Sequence, residues 1–153
     1  MDYSVDYMLT HDIDWFCIVN GIFVHLASAG GILPPSFRDR DALRQLQHNV
    51  AVAPYLFEEE DVVDNEEFLN QRFADNPKGR TSYVVSFRDM ARKGFVSMDR
   101  TFLTNPGDTH YHIVCWPRGW NELRIENLEI PTMPIGEMPL LNFRPLGLLD
   151  NNM

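Results

Sequence analysis

The pair Asn20-Gly21, set between the apolar runs 15–19 and 22–26, constrains the fold more than any other feature of this chain. A two-residue type I′ turn needs φ > 0 at both central positions. Asn-Gly tolerates that best, so the pair predicts a β-hairpin together with its register. Val19 then faces Ile22, Cys17 faces Val24, Phe16 faces His25 and Asp14 faces Ala27. Side chains alternate sides along a strand, so Trp15, Cys17, Val19, Ile22, Val24 and Leu26 form one side without a polar group. The other side carries Asp12, Asp14, Phe16, Ile18, Phe23 and His25, and reads as the side that need not be core.

Around this hairpin the hydrophobic period changes three times. Tyr3, Val5, Tyr7 and Leu9 alternate with polar residues and Met8, which reads as a short first strand with a helical turn as the alternative. Paired glycines and prolines make residues 29–35 a loop. A helix is predicted over 39–53, where Leu43, Leu46, Val50 and Ala53 recur at three- and four-residue steps until Pro54. A short second helix, capped by Asp64 or Asn65, buries Phe68, Leu69 and Phe73 and stops before Asn76-Pro77. The third, capped by Thr81 or Ser82, carries the stripe Tyr83, Val84, Phe87, Met90 and Ala91 and ends at Arg92-Lys93-Gly94.

Strand patterns then return. Residues 95–103 and 110–116 flank the turn-forming cluster 104–109, giving a second hairpin with a longer loop. Residues 123–130 suggest one more strand, with a bulge near Asn127. The order of strands, three helices and strands predicts a single α+β domain over 1–130. Its antiparallel sheet is built from two hairpins flanking the helical insertion, with the helices on one face. Residues 131–153 have prolines too frequent for helix or central strand, yet are too apolar to stay in water. They are expected to form an extended arm packed through Leu140, Leu141, Phe143 and Leu146 on the domain or on a partner, which offers a route to a homo-oligomer.

Composition narrows the class. A chain of 153 residues buries roughly 70% of its unfolded surface without a metal or disulfide staple. With 44% hydrophobic and 23% charged residues it suggests neither disorder nor a membrane span. The N-terminal Met-Asp-Tyr-Ser-Val-Asp lacks the basic start of a secretory signal, and Cys17 and Cys115 sit in apolar runs where a reduced thiol behaves as a small hydrophobe. A cytoplasmic protein without a disulfide is expected. Thirteen basic against twenty-two acidic residues give a net charge of −9, which repels a phosphate backbone and disfavours nucleic-acid partners. The acids concentrate in 58–67, read as a solvated loop and helix start that is also able to steer a basic partner.

Two hairpins each offer histidine and aspartate. Asp14 is diagonal to His25; His110 and His112 project to one side, and pairing Leu103 with His110 places Asp99 diagonal to His112. If both hairpins share a sheet, His25, Asp14, His110, His112 and Asp99 form a candidate acid–base set. His110, His112 and His25 are then the candidate ligands of a divalent metal, and no other cofactor is expected. Cys17 points away from His25, which breaks the nearest Cys–His dyad, and neither a P-loop nor a dinucleotide fingerprint is present. Residues 116–120 form a candidate binding loop in which Trp116, Arg118 and Trp120 combine residue types enriched at binding hot spots. No motif names a reaction. The expectation is therefore a small acidic intracellular binding protein (inhibitor, immunity-like or accessory factor) that contacts another protein. The alternative is a hydrolase acting at the histidine–aspartate side.

Overall fold

The computed structural model describes residues 1–19, 22–108 and 110–119. Asn20-Gly21, the 123–130 strand, Trp120 and the apolar arm therefore lie outside the described residues. Strands β1 (Asp14–Val19) and β2 (Ile22–Ala27) pair antiparallel in the register that the Asn-Gly turn demands, Asp14 opposite Ala27 and Val19 opposite Ile22. Only two residues separate the strands, the loop length that fixes a tight hairpin.

The domain is α+β. Among the described residues a five-stranded sheet has the order β1-β2-β4-β5-β3, with β3 at Val62–Asp64, β4 at Val96–Arg100 and β5 at Tyr111–Pro117. The two hairpins meet through β2 and β4, which are parallel; the other neighbours are antiparallel. The β2-to-β4 connection carries three helices, α2 (Arg40–Val52), α3 (Glu66–Arg72) and α4 (Pro77–Arg92). None of the described helices is long and apolar enough to cross a membrane.

Helix boundaries follow the caps. Asp39 accepts from the backbone N–H of Asp41 and Ala42, and Leu43, Leu46 and Val50 bury the predicted face of α2. The C-terminal carbonyls of α2 are met by the buried Lys93, whose Nζ donates to Val50 and Ala51 at 2.9 Å each. Asn65 caps α3. Helix α3 stops before Asn76-Pro77 as its pattern predicts, and the same pair begins α4: Asn76 Oδ1 accepts from Gly79 N, and Pro77 occupies the first turn, where its missing N–H costs nothing. The helix thus starts several residues before the expected cap at Thr81 or Ser82.

The N-terminal segment is helical, α1 (Val5–Thr10), not a strand. Ser4 caps it through Tyr7 N, and the organising row is Tyr3, Tyr7 and His11 at four-residue steps, with ring centroids 5.0 and 3.7 Å apart. Val5 and Leu9, half of the apparent alternation, remain exposed.

The face without polar groups is core, as its pattern predicts: Trp15, Val24, Leu26, Met98 and Ile113 join Leu33, Phe37, Leu43, Leu46 and Val50 in the larger cluster. On the opposite side Phe16, Phe23 and His25 are buried as well, which corrects its reading as a side free of core duty, while Asp12 and Asp14 stay accessible. Helices α3 and α4 lie over it, and Leu69, Val84, Phe87 and Ala91 pack with Ala27, Val114 and Cys115. Cys17 and Cys115 are free and buried, and burial pushes both thiols up, Cys17 to about 12.

Arg100, which the sequence reading passed over, ties the loops together. Its guanidinium is buried and donates to the carbonyls of Ser28, Ala29, Phe102 and Asn105 at 2.7–3.0 Å. A side chain at Gly31 would put a Cβ 2.5 Å from Arg100 Nε, so glycine is what lets the guanidinium reach this loop.

Candidate functional site

Strand parity places Asp14, His25, Ser97, Asp99 and His112 on the side of the sheet covered by α3 and α4. They assemble into two units. In the first, the diagonal step from β1 brings Asp14 Oδ1 to 2.8 Å from His25 Nε2. The parallel pairing with β4 brings Ser97 Oγ to 2.6 Å from His25 Nδ1. The carboxylate can only accept, so Nε2 donates to Asp14, and Nδ1 shares its hydrogen bond with the Ser97 hydroxyl.

The residue types are those of a hydrolytic triad, but the arrangement is not. The carboxylate takes the ring nitrogen that should face the nucleophile. Ser97 is 0% exposed, beneath an imidazole that Phe16 and Phe87 flank at 5.5 and 5.9 Å. No acyl group reaches such a hydroxyl. The accessible end of this unit is Asp14, whose side chain is 47% exposed.

In the second unit Asp99 is directly opposite His112 rather than diagonal to it. The Tyr83 hydroxyl, delivered by α4, donates to Asp99 Oδ2 at 2.6 Å and lies 3.3 Å from His112 Nε2. Thr101 Oγ1 is 3.1 Å from His112 Nδ1, and the Phe68 ring covers the imidazole at 3.8 Å. Burial, helped by the nearby Arg72 charge, lowers His112 from an ordinary 6.5 to about 3. Burial and the neighbouring Asp99 push Tyr83 far upward. Burial holds Asp99 above the usual carboxylate range, although the Tyr83 hydrogen bond opposes it. At neutral pH the imidazole is thus locked neutral and the phenol keeps its proton, so neither is poised to exchange one near pH 7.

His110 joins neither unit. Its Nδ1 is 2.9 Å from Asp108 Oδ1, the same oxygen accepts its backbone N–H, and its ring packs edge-on against Phe102. It belongs to the loop between β4 and β5. The candidate set His25, Asp14, His110, His112 and Asp99 is therefore divided, and among the described residues no three His, Cys, Asp or Glu side chains come together to hold a metal ion. Trp116 lies within β5, half-buried and paired with Val63, rather than in a loop. Arg118 is exposed at the turn beyond it.

The surface that sequence reasoning missed lies on the outer side of α4. Arg80, Val84, Arg88 and Arg92, one helical row, line a groove of about 630 Å³ with Val85 and Asp89. Its far wall comes from the acidic segment, which is structured: a 3-10 turn at Glu59–Asp61 leads into edge strand β3. Arg88 donates to Glu59 and Asp64, and Arg80 to Glu66 at 2.8 Å. At the groove's end Arg92 stacks 3.8 Å over the Tyr55 ring, and the Tyr55 hydroxyl donates to Asp89. Val85 is 62% exposed. The Arg118 turn is tied to the same segment, through its N–H to Asp61 O at 2.7 Å and its guanidinium to Glu60 O. One surface therefore runs from the Arg118 turn across residues 59–61 to α4. The signal for it was the row of α4 arginines, Arg80, Arg88 and Arg92, at steps of eight and four residues. Their partners, however, are distant in sequence, 29 residues for Arg88 and Glu59 and 35 for Arg92 and Phe57.

No family model, no curated protein and no solved structure matches this chain.

Proposed function

We propose that this is a small binding protein, an inhibitor or accessory factor, that contacts another protein through the surface formed by α4, residues 53–61 and the Arg118 turn. The observation that carries this reading is the end of the groove, where Tyr55 is held between Asp89 and Arg92 beside the exposed Val85. Tyrosine and arginine dominate binding hot spots because each offers large contact area with a polar end, and here both are oriented before a partner arrives.

Charge supports a protein partner over a free anion. The groove arginines already face carboxylates, so a phosphate would have to displace them. The exposed Glu58, Glu59 and Glu60 suit a partner with a basic rim and an apolar anchor that seats against Val85. The two reduced, buried thiols suit a reducing compartment, which favours the cytoplasm.

The test places a photo-cross-linking residue at position 85 of the full chain, with position 5 on α1 as an equally exposed control. The expected result is a discrete adduct at position 85 that Tyr55→Ala abolishes in a folded protein. Adducts equal at both positions, or indifferent to Tyr55→Ala, contradict the reading.

A further inference from the structure

A second cleft, which does not depend on the α4 groove, opens between α1, the start of β1 and α2, with a volume of about 310 Å³. Asp12 and Asp14 form one wall and Arg44 another. Tyr7 and Tyr3, which line the same cleft, hold the Arg44 guanidinium above its usual range, and among the described residues no ion pair joins it to either carboxylate. Opposite charges thus share a small cleft without neutralising each other.

The acidic wall is fixed from behind. Asp14 accepts from the wholly buried His25, itself anchored on Ser97, and still keeps about half of its side chain exposed. Asp12 Oδ1 accepts from Ala29 N at 2.9 Å, and Gln47 Nε2 donates to the Asp14 carbonyl at 2.8 Å, which sets α2 against β1. The Asp14–His25–Ser97 chain, without a catalytic reading, has a role here: its buried imidazole and hydroxyl hold an accessible carboxylate at the cleft wall.

We infer that this cleft binds a small zwitterion, an α-amino acid with an apolar side chain. The ammonium meets Asp12 and Asp14, the carboxylate meets Arg44 and the tyrosine hydroxyls, and the side chain lies on Phe16, Ala51 and Met90, which line the rest of the cleft. Volume and charge fit this class. The cleft is at the lower end of small-ligand sites, roughly 300–1,000 Å³, and two carboxylates against one guanidinium disfavour a phosphorylated ligand.

Calorimetric titration of the full chain with leucine, methionine, phenylalanine and valine, alongside isopentylamine and 4-methylpentanoate, tests the inference. Saturable binding of at least one amino acid is expected. The leucine analogues that lack the carboxylate or the amine should bind at least tenfold more weakly than leucine, about 1.4 kcal/mol each. Arg44 is exposed, so Arg44→Gln should leave the melting temperature unchanged while weakening the amino acid at least tenfold. No saturable binding of any of the four at millimolar concentration, or isopentylamine binding as tightly as leucine, overturns the inference.

Discussion

His25 and His112 hang from the same side of one sheet, His25 beside Ser97 in a parallel pair and His112 opposite Asp99 in an antiparallel one. Each imidazole has a hydroxyl on Nδ1, yet their outlets differ. His25 passes its second hydrogen bond to Asp14 at the rim of the α1–α2 cleft, whereas His112 passes its own to Tyr83 and is covered by Phe68. The same residue types therefore give one unit that ends at the surface and one that is enclosed. What separates them is the partner: α4 brings Tyr83 over Asp99, while Asp14 comes from β1, at the edge of the sheet among the described residues, and keeps 47% of its side chain exposed.

The largest effect should come from acid. His112 is held near 3 in the folded protein against 6.5 in an ordinary setting, so between those values the unfolded chain binds the extra proton and stability falls as pH drops. The slope approaches about 1.4 kcal/mol per pH unit for one proton. Asp99 works in the opposite sense: its folded carboxyl takes a proton before the unfolded one does, which offsets part of the loss at the acid end. Denaturant titrations from pH 7 to pH 4 should show this fall in the native chain, and His112→Leu should flatten it. An unchanged slope in His112→Leu would place the acid sensitivity elsewhere.

Tyr83→Phe ranks next, because it leaves the enclosed Asp99 without its 2.6 Å donor. A loss of about 1.5–3 kcal/mol is expected from urea denaturation. Ser97→Ala removes a neutral hydrogen bond from His25 and should cost about 1 kcal/mol. Asp14→Asn, at the half-exposed end, should cost less than about 1 kcal/mol. If Asp14→Asn proves more costly than Tyr83→Phe, the contrast between an open and an enclosed unit is wrong.

How much of this was legible follows the turns. Asn20-Gly21 predicts the first register residue by residue, including the Asp14–His25 diagonal. The longer loop before His110 carries no such instruction, and the observed pairing of Asp99 with His112 is shifted by two residues from the predicted one, with an irregularity at Ser97/Met98. A two-residue shift keeps every side chain on its face, so Asp99 and His112 still meet. Strand β3 was hidden because Val62-Val63-Asp64 lies in an acidic run with no alternation to betray an edge strand. Helix α1 was hidden because Tyr3, Val5, Tyr7 and Leu9 satisfy a period of two, while the Tyr3-Tyr7-His11 row satisfies the helical one. Of the groove only the row of α4 arginines was legible: α4, the Tyr55 loop and the acidic turn become neighbours only when the chain folds.

The proposed protein partner is recognised on the α4 surface, and the buried imidazoles of His25 and His112 hold the sheet from within. Once position 85 captures the proposed partner, its affinity and the melting temperature are measured side by side for Tyr55→Ala and Ser97→Ala. Tyr55→Ala should weaken binding at least tenfold, about 1.4 kcal/mol, with melting unchanged. Ser97→Ala should lower the melting temperature and leave the affinity intact. Binding lost in Ser97→Ala and retained in Tyr55→Ala would contradict this assignment.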